Sequence, residues 1–174
     1  MFGSDEAMML ALAAARDGLA AGEMPIGAVV FDGERVLGRA YTQEKTLGRR
    51  VVHADLLALL EADEALGFSK PVGSLTLAVN LEPCLMCMGA AITLGVRRVW
   101  YALESPNDGA AELLGRWEPP VELPFFAKPR EVRGGLRRAE ARALFGLYAE
   151  GQGPPGMRAW ARGLATGGDG AHAW

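Results

Sequence analysis

Apolar residues recur along this chain in two ways, every third or fourth position in some stretches and as short unbroken runs in others. Met8, Leu12, Ala15 and Leu19 fall at helical spacing, with Ser4 or Asp5 available as cap and Gly22 as stop. The segment IGAVVFDGERVLGRAY follows, two strand-like runs around Asp32-Gly33, a dipeptide that favours a tight hairpin. From His53 to Leu66, HADLLALLEADEAL is built of good helix formers and ends at Gly67. Leu75 to Val79 (LTLAV) reads as a short buried strand. Pro83 interrupts, CLMCMGAAITL forms a helix ending at Gly95, and Val99 to Ala102 (VWYA) is a further strand.

Residues 103–130 contain five prolines and read as irregular. Glu131 to Arg133 supplies a last short strand. LRRAEARALFGLYAE is then a helix with Leu136, Ala139, Ala143 and Leu147 on its buried face, and Phe125, Phe126, Phe145 and Tyr148 read as core. From Gly151 onward Gly, Pro and Ala dominate (GQGPPG, ATGGDGAHA), the composition of a mobile tail. The expectation is one domain over residues 1–150 and a tail over 151–174. The order α-β-β-α-β-α-β-(β)-α, with strands that are apolar throughout, predicts a sheet covered on both faces, a three-layer α/β/α sandwich.

Composition narrows the function classes. The 174 residues carry 18 Lys+Arg against 21 Asp+Glu, a net charge of −3, so no global attraction draws the chain to nucleic acid. Acidic residues precede the first apolar run, where a secretory signal needs basic ones, and no run approaches the roughly 20 apolar residues of a membrane span. A cytoplasmic protein without a membrane partner is expected. Two cysteines in a domain of this size do not make a disulfide framework.

Both cysteines lie in NLEPCLMC, at a strand-to-helix junction. A thiol at a helix N-terminus faces unpaired N–H groups and the positive end of the dipole, which favours its thiolate. That suits a redox pair or a metal ligand pair, and the i, i+3 spacing of Cys84 and Cys87 lets both sulfurs reach one tetrahedral ion. The chain has two histidines; His172 lies in the expected tail, and His53 opens the preceding helix. One nitrogen and two sulfurs leave the fourth position of zinc open, the catalytic arrangement. The redox reading gives His53-Ala54-Asp55 no role, and the zinc reading uses it.

HAD at 53–55 and EPCLMCMGA at 82–90 resemble the zinc signature of the cytidine deaminase-like superfamily, H-x-E followed by P-C-x-x-C. MPIGAVV at 24–30, RRVWYA at 97–102 and the Gly-Ala-Ala at 109–111 are similar to the bacterial tRNA adenosine deaminases and their nucleobase and nucleoside deaminase relatives. The resemblance implies a mixed five-stranded sheet, at least a homodimer, and one Zn2+ per chain held by His53, Cys84 and Cys87. It also implies hydrolytic deamination, with Asp55 moving the proton. The Ala54 backbone N–H and the Glu82 carbonyl would border the base, with Met24 beside it.

Three positions depart from that pattern. Asp55 stands where the family has Glu, shorter by about 1.5 Å. Thr42 stands where relatives carry a base-binding Asn. The loop ESPNDGAA places Glu104 and Asp108 where the tRNA enzymes carry basic residues, and Asn107 and Asp108 are candidates for reading a polar base edge. A small nucleobase- or nucleoside-like substrate is therefore expected. The cluster Lys128, Arg130, Arg133, Arg137, Arg138 and Arg142 keeps tRNA as the alternative. Asp55 also leaves open a zinc-holding scaffold without activity.

Overall fold

The computed structural model describes residues 2–68 and 75–167. Helix α1 (Ser4–Ala20) precedes the hairpin β1 (Gly27–Asp32) and β2 (Arg35–Tyr41). The short α2 (Glu44–Leu47) and α3 (Ala54–Leu66) lead to β3 (Thr76–Leu81), α4 (Leu85–Leu94) and β4 (Arg98–Leu103). The chain continues through α5 (Ala111–Arg116), β5 (Glu131–Arg133), α6 (Arg138–Ala149) and α7 (Pro155–Thr166).

The sheet order is β2-β1-β3-β4-β5. β1 runs antiparallel to β2 and β3, whereas β3, β4 and β5 are mutually parallel. The mixed five-stranded sheet is thus as expected. Successive residues of one strand face opposite ways, and both faces are apolar. Val29, Phe31, Ala78, Trp100 and Ala102 pack with α1, α6 and α7. Ala28, Val30, Leu77, Val79, Val99 and Tyr101 pack with α3, α4 and α5. Helix α3 lies so close to β2 that a Cβ on Gly38 would strike the backbone carbonyl of Ala58. Among the described residues no helix is long and apolar enough to cross a membrane.

Four expectations change. The stretch after Gly151 is not wholly tail: Pro155 opens α7 in the first helical turn, where a missing N–H costs nothing, and Ala161 and Leu164 are buried. His172 lies outside the described residues. Helix α5 forms within the proline-rich 103–130 stretch, between Pro106 and Pro119. The buried stripe of α6 is Ala141, Leu144, Phe145 and Tyr148; Ala139 and Ala143 face outward and Leu147 is 62% exposed. Both stripes have helical spacing, and the one with two aromatic rings removes more apolar area from water. Phe125, by contrast, is 63% exposed.

Candidate metal centre and cavity

The site lies beyond the carboxyl ends of the parallel strands β3 and β4, where open α/β sheets form crevices. His53 is the residue before α3 and Cys84 the residue before α4, so both helix N-termini meet at this end of β3. Two buried carboxylates fix the surrounding loops. Glu23 accepts hydrogen bonds from the backbone N–H of Lys45 (3.2 Å) and Thr46 (2.6 Å), anchoring the turn into α2. Glu82 accepts from the N–H of Ser105 (3.0 Å) and Ala111 (2.9 Å), pinning the β4–α5 loop. That pinning is close enough that a Cβ on Gly109 would run into the Glu82 carboxylate.

His53 Nδ1 lies 3.6 Å from Cys84 Sγ and 3.7 Å from Cys87 Sγ, and the two sulfurs are 3.6 Å apart. Tetrahedral zinc with Zn–S of about 2.3 Å and Zn–N of about 2.1 Å requires S···S of about 3.8 Å and N···S of about 3.6 Å. The three atoms therefore already fit the ion. Among the described residues they form the one group of three or more candidate metal ligands.

Without metal, the three groups share their protons unequally. Cys84 is drawn down to about 4, first by the Cys87 thiol and then by His53, against the opposing effect of burial. His53 is raised to about 9, chiefly by the Cys84 sulfur beside it. Cys87 is pushed up, first by Cys84 and then by burial. At pH 7 Cys84 is thus a thiolate, while His53 and Cys87 each hold a proton that zinc must displace. Zinc binding at pH 7 is expected to release about two protons per ion and to weaken as pH falls. Calorimetric titration in buffers of different ionisation enthalpy counts them, and a heat independent of the buffer contradicts this assignment.

A cavity of about 810 Å³ opens beside these ligands. His53, Ala54, Asp55, Glu82, Cys84, Thr42, Met24 and Asp108 all contribute to its lining, and two of the sequence-derived candidates, Cys87 and Asn107, do not. Cys87 is fully buried behind Cys84. Asn107 stands outside the lining and is joined to it by its Oδ1, which accepts a hydrogen bond from Trp160 Nε1 (3.2 Å). Asp55 is 4% exposed, and burial pushes its carboxyl above the usual carboxylate range, opposed by a contact with the Cys87 thiol. The Thr42 hydroxyl is engaged within the protein, 3.3 Å from both the Val52 carbonyl and a Glu44 carboxylate oxygen.

Two sets of lining residues escaped the sequence reading. Pro154, Met157 and Trp160 come from α7 and its entry; the spacing of Met157, Trp160 and Leu164 was the available signal. Glu44, Lys45, Arg49 and Arg50 come from the loop before His53, and nothing in their spacing points at a cavity.

The family model for the cytidine and deoxycytidylate deaminase zinc-binding region matches residues 3–103. A tRNA-specific adenosine deaminase of Agrobacterium fabrum is 34% identical over 139 residues, covering 77% of this chain and 86% of that protein. A tRNA(Ile)-lysidine synthase of Deinococcus deserti is 41% identical over 138 residues, covering 79% of this chain and 25% of that protein; the chain spans about a quarter of such a relative's length. The solved guanine deaminase of Nitrosomonas europaea superposes with a TM-score of 0.68 at 26% identity, covering 85% of each chain. With its His, Cys and Cys set for zinc inside the matched region, the chain belongs to the cytidine and deoxycytidylate deaminase family, and the deaminases among its relatives are hydrolases of carbon–nitrogen bonds other than peptide bonds.

Proposed function

We propose that this protein deaminates a small nucleobase- or nucleoside-like amine: water and the amino-bearing ring carbon give the oxo compound and ammonia. His53, Cys84 and Cys87 would hold zinc, which would supply a water acidic enough to act as nucleophile near neutral pH. Asp55 would move both protons of the attacking water, the first to the ring nitrogen and the second, from the new hydroxyl, to the amino group, which leaves as ammonia. Its raised pKa suits both directions of transfer. Ala54, first residue of α3, offers its N–H to the base, and the Glu82 carbonyl borders the other edge.

The observation that carries the small-substrate reading is α7. Pro154, Met157 and Trp160 wall one side of the cavity, and the Trp160–Asn107 hydrogen bond ties that wall to the β4–α5 loop. The enclosure suits one base with or without its sugar. The basic cluster of the C-terminal half does not favour a polyanion either. Lys128 pairs with Glu118 (3.4 Å), Arg137 with Asp5 (2.8 Å) and Glu140 (2.6 Å), and Arg138 forks onto both Glu104 oxygens.

The tRNA reading keeps one specific support. The Glu104 charge is taken up by Arg138, while Lys45, Arg49 and Arg50 line the cavity from exposed positions. They would offer positive charge to a phosphate flanking the base, and relatives are named for tRNA. Ammonia release by zinc-loaded protein, measured over free bases, nucleosides and a tRNA at two salt concentrations, separates the readings. Turnover of one small compound is expected. Silence on the small compounds, with salt-sensitive turnover of tRNA, refutes the proposal. Trp160→Ala is expected to raise KM for the small substrate about 5- to 150-fold, since stacking on an aromatic ring is worth about 1–3 kcal/mol per base, with little change in zinc content. An unchanged KM removes Trp160 from the base's surroundings. The exposed Leu85 and Met86 at the start of α4 are consistent with a homodimer.

A further inference from the structure

His53 has a second nitrogen, and what faces it sets how firmly the first is aimed. Nδ1 points at both sulfurs, so Nε2 points away from them. There it meets Glu44 Oε1 at 3.8 Å, an ion-pair distance longer than a hydrogen bond. The other Glu44 oxygen lies 3.3 Å from the Thr42 hydroxyl. Thr42 is itself 1% exposed and held within 3.3 Å of the Val52 carbonyl, next to His53 in the chain. Glu44 and His53 are each about one-third exposed, with side-chain exposures of 33% and 30%. The backbone of α2 behind Glu44 is fixed by the buried Glu23 carboxylate. A buried hydroxyl, a carboxylate and the outer nitrogen of a metal ligand thus stand in one chain, within hydrogen-bond reach at its first link and at ion-pair distance at its second.

We propose that Glu44 is a positioning residue for zinc: it accepts the Nε2 proton of His53, fixes the tautomer with a free Nδ1 lone pair, and is steadied by Thr42. An imidazole ligand whose outer N–H meets a carboxylate is oriented and made more basic, and losing such a partner typically weakens metal binding about 10- to 100-fold. The Thr42 hydroxyl then serves the metal rather than the base. The proposal rests on zinc at His53, Cys84 and Cys87 and not on the identity of the substrate, so failure of the deaminase reading leaves it standing.

Zinc itself is the probe. In chelator competition, Glu44→Ala is expected to bind zinc about 10- to 100-fold more weakly than the parent, and Glu44→Gln, which keeps an acceptor but no charge, to fall between. The second readout is the His53 Nε2 proton, followed by nitrogen-15 NMR in zinc-loaded protein. It should exchange slowly in the parent and fast in Glu44→Ala, with the backbone amide spectrum otherwise unchanged. Thr42→Val should weaken zinc binding alone and add nothing on top of Glu44→Ala, as action through Glu44 requires. Parent-like zinc affinity and Nε2 proton exchange in a folded Glu44→Ala protein overturn the proposal. If Glu44→Ala does not fold, the same two values in Glu44→Gln decide it.

Discussion

Asp55→Ala is expected to lower turnover about 10²- to 10⁴-fold, the usual worth of a positioned general acid–base, while zinc content stays at one ion per chain. Asp55 is not one of the three atoms that fit the ion, and its carboxyl sits at 4% exposure in the lining of the cavity. A protein that keeps zinc and keeps full turnover would refute the assignment. Asp55→Glu is the sharper companion. It carries the carboxylate about 1.5 Å farther from the backbone, and misplacement by about 1 Å can cost about a hundredfold. Turnover of this variant is expected to rise. A fall would mean that the backbone of α3 already places the shorter side chain where the reaction needs it. The pH profile gives an independent sign. A base must be deprotonated to accept the proton, and burial raises this carboxyl, so with zinc supplied in excess the acid limb of kcat/KM should lie above the ordinary aspartate range and vanish in Asp55→Ala.

The second large effect belongs to the metal. Cys87→Ala removes a fully buried ligand and should abolish both zinc retention and activity. Zinc binds the folded site, so its loss should be visible in stability. At free zinc a hundred times its dissociation constant, the ion stabilises by about 2.7 kcal/mol, or about 5–10 °C in midpoint for a chain of this size. Chelated parent protein should therefore melt lower and recover on adding zinc, whereas Cys87→Ala should not respond. A variant that still gains stability from zinc would show that Cys87 is dispensable to the site.

The metal centre was legible because its signal is local. A Pro-Cys-x-x-Cys opening one helix and a His opening another need only the adjacency of two helix starts around β3 to meet. The sheet was legible for a similar reason, since strands covered on both faces read as apolar runs. Helix α7 was hidden by its flanks: Gly151, Gly153 and Pro154 before it and the glycine-rich end after it outweigh, in composition, the periodicity of Met157, Trp160 and Leu164. Glu44 was hidden differently. Its bearing on His53 depends on the path of eight intervening residues, and the Glu23 carboxylate, which precedes β1 and β2 in the chain, sets the start of that path. Charge was the least readable quantity. Glu104 in sequence is a repulsive anion at the mouth, and in the fold it is paired with Arg138, 34 residues later.

The Glu82 carboxylate holds the β4–α5 loop through two main-chain N–H groups, those of Ser105 and Ala111. Every residue type except proline presents that donor. The course of the loop is accordingly set by main-chain donors, while the side chains of Asn107 and Asp108 tie it to Trp160 and to the Ser105 hydroxyl, and Gly109 must remain small. One rim of the cavity is in this way joined to the metal centre through main chain, Gly109 pairing with Cys84 and the Ala110 N–H donating to the Pro83 carbonyl, so its position does not depend on what its side chains touch. A scaffold so built lends itself to changes of substrate by exchange of rim side chains, provided the ties made by Asn107 and Asp108 are replaced in kind.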